Sequence, residues 1–288
     1  MAAVNAGAAA AAAARSSLLA TAQNYLILCL LLDKTSSILG SRFWDCRIVI
    51  PVECGSKPDK LESRILAVSK FRIFIIVGKT QQSLKIERFF HLLSIRSVQI
   101  INENEVCFGL DEATAGKRRM FICSETSSKE LTTHIFTALK HYFPDINDII
   151  RSVMELSPPD LYASFASLPV AVPILACRSF RRTYAALCDY YEQPFREEVV
   201  WDIEKIYASH RLKELRLEDF CHLLPRDLVP IVSVCQYSSY FTGILIDGIK
   251  LIPELVEAIL LVVRRSQSIK SLVLRNCSLP RYEHFLSF

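Results

Sequence analysis

The sequence predicts two fold classes in series, an α+β unit and then an α/β solenoid, joined by a helical connector. Three observations predict this. Between Arg42 and Pro144, short β-branched runs alternate with polar turns and end in one amphipathic helical stretch. From residue 145 to 208 the chain is first punctuated by proline and then reads as helix. From residue 209 onward one apolar spacing recurs three times, with starts at Leu212, Phe241 and Ile269 that lie 29 and 28 residues apart.

The first unit opens on "CRIVIPVEC" (Cys46–Cys54), which is rich in β-branched residues. "SRILAVS" and "FRIFIIVG" (Ser63–Gly78) are two strands separated by little more than Lys70, so they form a hairpin. Asn102-Glu103-Asn104 is a polar turn between strands Ser97–Ile101 and Glu105–Leu110. "RRMFICS" (Arg118–Ser124) is a last strand after the turn at Ala115-Gly116. Then Ser127-x-x-Glu130 is a capping box. Leu131, Ile135, Ala138, Leu139 and Tyr142 repeat at helical spacing, and Pro144 ends the helix. Short strands closed by one C-terminal amphipathic helix suggest a pleckstrin-homology-like barrel over residues 42–144. The helix plugs one open end, which is why one of its faces is apolar. Phe89, Phe90 and Phe108 are assigned to the barrel core rather than to RNA stacking, because Gly-rich surroundings are missing.

"SPPDLYASFASLPVAVP" (Ser157–Pro173) reads as a connector, followed by helices over Ile174–Tyr191 and Glu197–Tyr207 broken near Pro194. Together these make a helical linker, 145–208.

Residues 209–288 read as the first leucine-rich repeats of a solenoid. "RLKELRLEDFCHL" places Leu212, Leu215, Leu217 and Phe220 at repeat spacing, and "YFTGILIDGIKL" places Phe241, Ile244, Ile246, Ile249 and Leu251 likewise. "SIKSLVLRNCSL" supplies Ile269, Leu272, Leu274, Cys277 and Leu279. A period of 28 to 29 belongs to the longer repeat class, one strand and one helix per unit. The segments between agree. Leu228, Ile231, Val232 and Cys235 share a helical face. Pro253 suits a helix N-terminus, and Arg264 and Arg265 suit a last turn. A repeat cannot bury its own apolar face without neighbours. The third strand is therefore expected to leave an open edge, as in a truncated product, a fragment or an incomplete gene model; the alternative is that "RYEHFLSF" folds over it as a cap.

Residues 1–41 form an Ala-rich and apolar leader. Its run from Leu18 to Leu32 is shorter than the roughly 20 residues of a membrane span, and no small-x-small site follows it. It reads as a low-complexity leader plus a helix, unrelated to the rest. Of the 288 residues, 51% are apolar, enough for real cores. The net charge of +4 is uneven: Arg42–His141 carries 16 Lys/Arg against 11 Asp/Glu, and Tyr142–Phe288 carries 16 against 18. A basic first unit favours an anionic partner, membrane lipid over nucleic acid. The ten cysteines include no C-x-x-C pair and read as buried reduced thiols.

Three runs carry a resemblance: "KPDKLESRILAVSKFRIFIIV" (Lys57–Val77), "FREEVVWDIEKIY" (Phe195–Tyr207) and "LRLEDFCHLLPRDLVPIVSVCQYSSYFTGI" (Leu215–Ile244). In these and in the order of its parts, Val49–Leu279 resembles the N-terminal part of the CARMIL family, membrane-associated leucine-rich-repeat regulators of actin capping protein. The resemblance implies a non-classical pleckstrin homology domain, a helical linker and a long solenoid. In the family a dimerising helical domain and a disordered tail follow, and the tail holds the basic motif that binds capping protein; this sequence contains no matching motif. The expected role is a non-enzymatic scaffold at the cytoplasmic face of the plasma membrane and the leading edge. Its expected partners are anionic membrane lipids and, through the full-length protein, cytoskeletal proteins. The alternative is a leucine-rich-repeat protein–protein interaction module with no lipid role.

No nucleotide-binding, metalloprotease or hydrolase motif is present, and no cofactor, nucleic acid or small-molecule substrate is expected. His134 and His141 lie on one helix without a third ligand, Cys221-His222 read as neighbours on a strand edge, and Asp202 and Glu204 read as a solvated face. The candidate site is basic: Lys57, Lys60, Arg64, Lys70, Arg72, Lys79 and Lys85 around the first hairpins, with Lys117, Arg118 and Arg119 on a turn, and strand alternation is expected to turn Arg64 and Arg72 outward. In pleckstrin-homology barrels the loops at the mouth opposite the helix meet anionic headgroups.

Overall fold

The computed structural model describes residues 35–36, 38–43, 45–78, 83–112, 116–170 and 177–278 of the chain. Seven antiparallel strands build the first unit: β1 (Ile48–Gly55), β2 (Glu62–Val68), β3 (Arg72–Val77), β4 (Lys85–His91), β5 (Ile95–Ile100), β6 (Glu105–Glu112) and β7 (Gly116–Cys123). They are ordered β4-β3-β2-β1-β7-β6-β5, with β1 bridging the two halves by pairing with both β2 and β7. Inward positions alternate, so that Val52, Leu66, Val68, Ile73, Phe90, Val98, Phe108 and Ile122 fill one core.

The turns sort into two ends. The β1–β2, β3–β4 and β6–β7 connections lie at one end, and the β2–β3 and β5–β6 turns at the other, because neighbouring strands run antiparallel. Helix α1 (Ser128–Tyr142) crosses the second end. Its N-cap Ser127 accepts a hydrogen bond from the Glu130 N–H at 3.2 Å, as the capping box predicts. Ser128 Oγ donates to the Asn102 carbonyl at 2.9 Å, and the Tyr142 ring meets Phe71 at 4.7 Å. Leu131, Ile135, Ala138 and Leu139 are buried against the barrel.

The outer face of β2 and β3 is also apolar. Ile65, Ala67, Phe74 and Ile76 form a second cluster that buries Leu39. This corrects the reading of residues 1–41 as unrelated to the rest: helical residues 35–36 and 38–39 belong to the barrel, and Thr35 and Leu39 are buried. The Leu18–Leu32 run lies outside the described residues. Phe89, expected in the core, instead points outward and is 48% exposed, because it faces Phe74 on the outer side of the β3–β4 pair.

Of the expected connector Ser157–Pro173, residues 171–173 lie outside the described residues, and the described part is not a plain connector. After a short helical turn, α2 (Ile150–Val153), strand β8 (Glu155–Ser157) adds parallel to β5, and α3 (Asp160–Ser167) follows. The reason is burial: Leu156, Leu161 and Phe165 are apolar and pack under α1. Lys140 of α1 is buried, and its Nζ donates to the carbonyls of Phe165, Ala166 and Leu168 at 2.7, 2.9 and 2.6 Å. Three donors thus satisfy the C-terminal carbonyls of α3.

The linker helices are α4 (Arg178–Tyr190) and α5 (Glu197–Trp201), and α5 widens into a π-turn over Asp202–Tyr207. Three parallel strands then form a second sheet: β9 (Glu214–Arg216), β10 (Gly243–Asp247) and β11 (Ser271–Arg275). Ile244 stands opposite Leu215 on one side and Leu272 on the other, so the 29- and 28-residue spacings are the register itself. Helices α6 (Leu228–Ser233) and α7 (Pro253–Arg265) return between the strands, and Pro253 is at the predicted N-terminus. Gly248 and Asn276, one period apart, both take positive φ after their strands, which suits the two residue types that tolerate that turn.

Several assigned core positions differ. Leu215, Phe241, Ile244 and Ile246 are buried, but Leu217 is buried in a 3-10 turn rather than on a strand. Leu212 precedes the short β9 and is 38% exposed. Ile269 and Leu272 are half-buried and Leu274 is 47% exposed, because no further strand covers β11 among the described residues. Cys221 and His222 lie in a turn, not on a strand edge. Helix α6 is buried all round, Val229 and Pro230 included, rather than on one face.

Candidate functional site

The basic residues divide between the two ends of the barrel. Lys57 and Lys60 occupy the β1–β2 loop, Arg64 lies near the start of β2, Lys85 opens β4, and Lys117, Arg118 and Arg119 open β7. All belong to the mouth opposite α1. A Cβ on Gly55 would stand 2.1 Å from the Lys60 carbonyl oxygen, so the loop carrying both lysines folds tightly back on the end of β1. Lys79 lies outside the described residues. Lys70 and Arg72 sit at the other end, which corrects the single-cluster reading. Lys70 lies over the Phe71 ring at 5.1 Å. Arg72 Nε donates to the Asp189 carboxylate at 2.6 Å, and its carbon lies 5.1 Å from the Phe89 ring.

The mouth encloses a cavity of about 590 Å³, lined by Arg64, Arg88, Arg118, Arg119 and Lys60 above Cys54, Ile75 and Met120. Arg64, expected to face outward, is aimed inward with Arg88 and Arg118, because the register pairs them across from Val52, Ile75 and Leu110, residues of the inner face. Arg64 is held firmly. Its Nε donates to Glu87 at 2.5 Å and its Nη2 to Glu62 at 2.7 Å. Those bonds raise the guanidinium pKa further, and the same contact holds the Glu87 carboxyl below the usual carboxylate range. The side chains of Lys57, Lys60, Lys85, Lys117 and Arg119 make no ion pair among the described residues. Cys54 at the base of the cavity is pushed up to about 11 by burial, so it stays a neutral thiol.

The barrel's other end is a structural joint. Buried His91 accepts the Leu93 N–H on Nδ1 at 2.9 Å and therefore donates from Nε2 to the Ala186 carbonyl of α4 at 3.0 Å. Burial first, and then Arg72, lowers its pKa to about 3, so the ring is neutral. His91, Lys140 and Arg88 were not singled out from sequence. His91 and Lys140 sit beside apolar neighbours, but their partners are remote carbonyls that leave no local spacing. Arg88 could have been found from its inward register opposite Ile75.

The described cysteines are free thiols. No described helix is long and apolar enough to cross a membrane, and no group of three or more metal-binding side chains is assembled among the described residues.

A seven-stranded antiparallel barrel closed at one end by a C-terminal helix, with a basic mouth at the other, defines a pleckstrin homology domain. Residues 46–144 match the Carmil pleckstrin homology domain. The chain is 32% identical over 230 residues to human "Capping protein, Arp2/3 and myosin-I linker protein 3", covering 79% of this chain and 16% of that protein. It is 30% identical over 222 residues to mouse "Capping protein, Arp2/3 and myosin-I linker protein 2", covering 76% and 17%. A protein of Dictyostelium discoideum named "Rho GTPase-activating protein gacW" is 24% identical over 241 residues, covering 83% and 21%. A solved structure of Vav1 with an allosteric inhibitor aligns at TM-score 0.27 and 12% identity over 34% of this chain and 19% of that one, too little to carry an argument. The chain belongs to the CARMIL family, and it spans about a sixth of the length of the first curated relatives it matches.

Proposed function

We propose that this chain supplies the membrane-docking and first partner-docking parts of a non-enzymatic scaffold in actin filament assembly. In this reading residues 42–144 meet anionic lipid at the cytoplasmic face of the plasma membrane, and residues 145–208 form a linker. Residues 209–288 begin a leucine-rich-repeat solenoid, and the capping-protein pathway is engaged through other parts of the full-length protein. The relatives named for capping protein, Arp2/3 and myosin-I support the cytoskeletal role. The repeat reading is supported by strands in parallel register at 29 and 28 residues with helices between them.

The observation that carries the lipid role is the mouth: inward Arg64, Arg88 and Arg118, ringed by Lys57, Lys60, Lys85, Lys117 and Arg119, around one cavity. Headgroup phosphates and carboxylates suit such a cluster, each lysine or arginine adding about 1 kcal/mol near an anionic bilayer. The test is flotation with phosphatidylserine-containing vesicles. The chain floats with them, less so as salt rises, and K60E together with R119E lowers binding about tenfold or more. K70E, at the far end, leaves it unchanged. No flotation at low salt, or equal loss from K70E, favours instead a protein-interaction module with no lipid role.

A further inference from the structure

Packing explains only part of the run Phe195–Tyr207. Val199, Val200, Ile203 and Tyr207 are buried. Arg196 pairs with Asp227 at 3.1 Å, and Glu197 and Glu204 hold Arg181 at 2.9 and 3.3 Å. What remains on the outer side is Glu198, Trp201, Asp202, Lys205 and Ile206. Trp201 is 56% exposed and Ile206 40%. The helix widens into a π-turn after Trp201, so Lys205 and Ile206 lie on either side of Trp201 one turn further on. Neither the Trp201 indole N–H nor the Asp202 carboxylate has a hydrogen-bond partner among the described residues.

Lys205 and His222 apart, the charged groups near Asp202 are acidic. Partial burial first, with Asp219 and Glu198 close by, raises the Asp202 carboxyl above its ordinary range, and His222 offsets this only in part. Two residues from His222, Leu224 is 69% exposed. The Glu198, Asp202 and Asp219 carboxylates outnumber Lys205 there; they disfavour an anionic bilayer and attract a cation, which can also stack on the exposed indole.

We propose that this indole-centred face docks a cationic peptide segment of a partner protein. An apolar side chain of the segment covers Trp201 and Ile206, and its lysines or arginines meet Glu198 and Asp202. The face is separate from the barrel mouth and of opposite sign, so the two bind different partners.

The probe is a fluorescein-labelled 18-residue amphipathic peptide of Lys and Leu, with a Glu-for-Lys version as control, titrated into the full chain. The Lys peptide binds, weakens with salt and shifts tryptophan emission to the blue; the Glu peptide does not bind. Trp201→Ala, at an exposed site, keeps the thermal midpoint and weakens binding about tenfold or more. Glu198→Lys with Asp202→Lys removes it, while K60E with R119E at the mouth leaves it intact. Equal binding of both peptides, or Trp201→Ala within about twofold of the parent, overturns the proposal. So does a concentration-dependent dimer lost on Trp201→Ala, which would assign the face to a second copy of the chain.

Discussion

Arg72 and Asp189 are 117 residues apart in sequence, and their side chains meet at 2.6 Å. The guanidinium also reaches the Asp189 backbone carbonyl at 2.7 Å. Barrel and linker are therefore tied by a directional contact, not by apolar burial alone. A double-mutant cycle with R72A and D189N, read by urea unfolding, is expected to show a coupling of about 1 kcal/mol, the upper range for a partly exposed pair. A coupling below about 0.3 kcal/mol would mean that solvent screens the contact.

His91 makes the same joint sensitive to acid. The unfolded chain takes up a proton on this ring near pH 6.5. The folded chain does so only near pH 3. The unfolded state therefore binds more protons between those values. The contribution is whole above about pH 6.5 and declines by up to about 1.4 kcal/mol per unit as pH falls toward 3. His141, lowered by burial and by Arg182, Arg47 and Lys70, acts in the same direction. Chemical unfolding at pH 7 and pH 5 should show a clear loss that His91→Gln reduces without abolishing. An unchanged slope in that variant would show that other groups carry it.

The parallel sheet supplies a contrast between two equivalent-looking residues. Ile246 is fully buried, whereas Leu274, opposite it on β11, is 47% exposed. Ile246→Ala should cost about 3 kcal/mol, the usual result of opening a cavity in a closed core. Leu274→Ala should stay within about 0.5 kcal/mol. A similar loss at both positions in thermal or urea melts would show that Leu274 is covered by a further element.

What could be read from sequence depended on how local the signal was. Leu215, Ile244 and Leu272 were readable because a strand repeats its side-chain direction and a parallel register preserves the period. Ser127 and Glu130 announce a helix start within four residues. Strand β8 escaped notice because Glu155–Ser157 is too short to show alternation; only the exposed edge of β5 calls for it. The ion pair of Arg72, which reads on β3 as one more outward cation, depends on an aspartate far along the chain. The basic mouth was half legible: its residue types are plain, but only the pairing of β1, β2 and β7 separates Lys60 and Arg119 from Lys70.

The seam between Pro144 and the linker is a poor place for scissors. The family match stops at residue 144, yet β5 finds its last neighbour at Glu155–Ser157, and the Lys140 ammonium finds its three carbonyls at Phe165–Leu168. A protein cut to 46–144 would strand a buried cation and bare a sticky strand, while losing Leu39's lid on the opposite wall. Whoever expresses the barrel alone should carry it from residue 35 through at least 168.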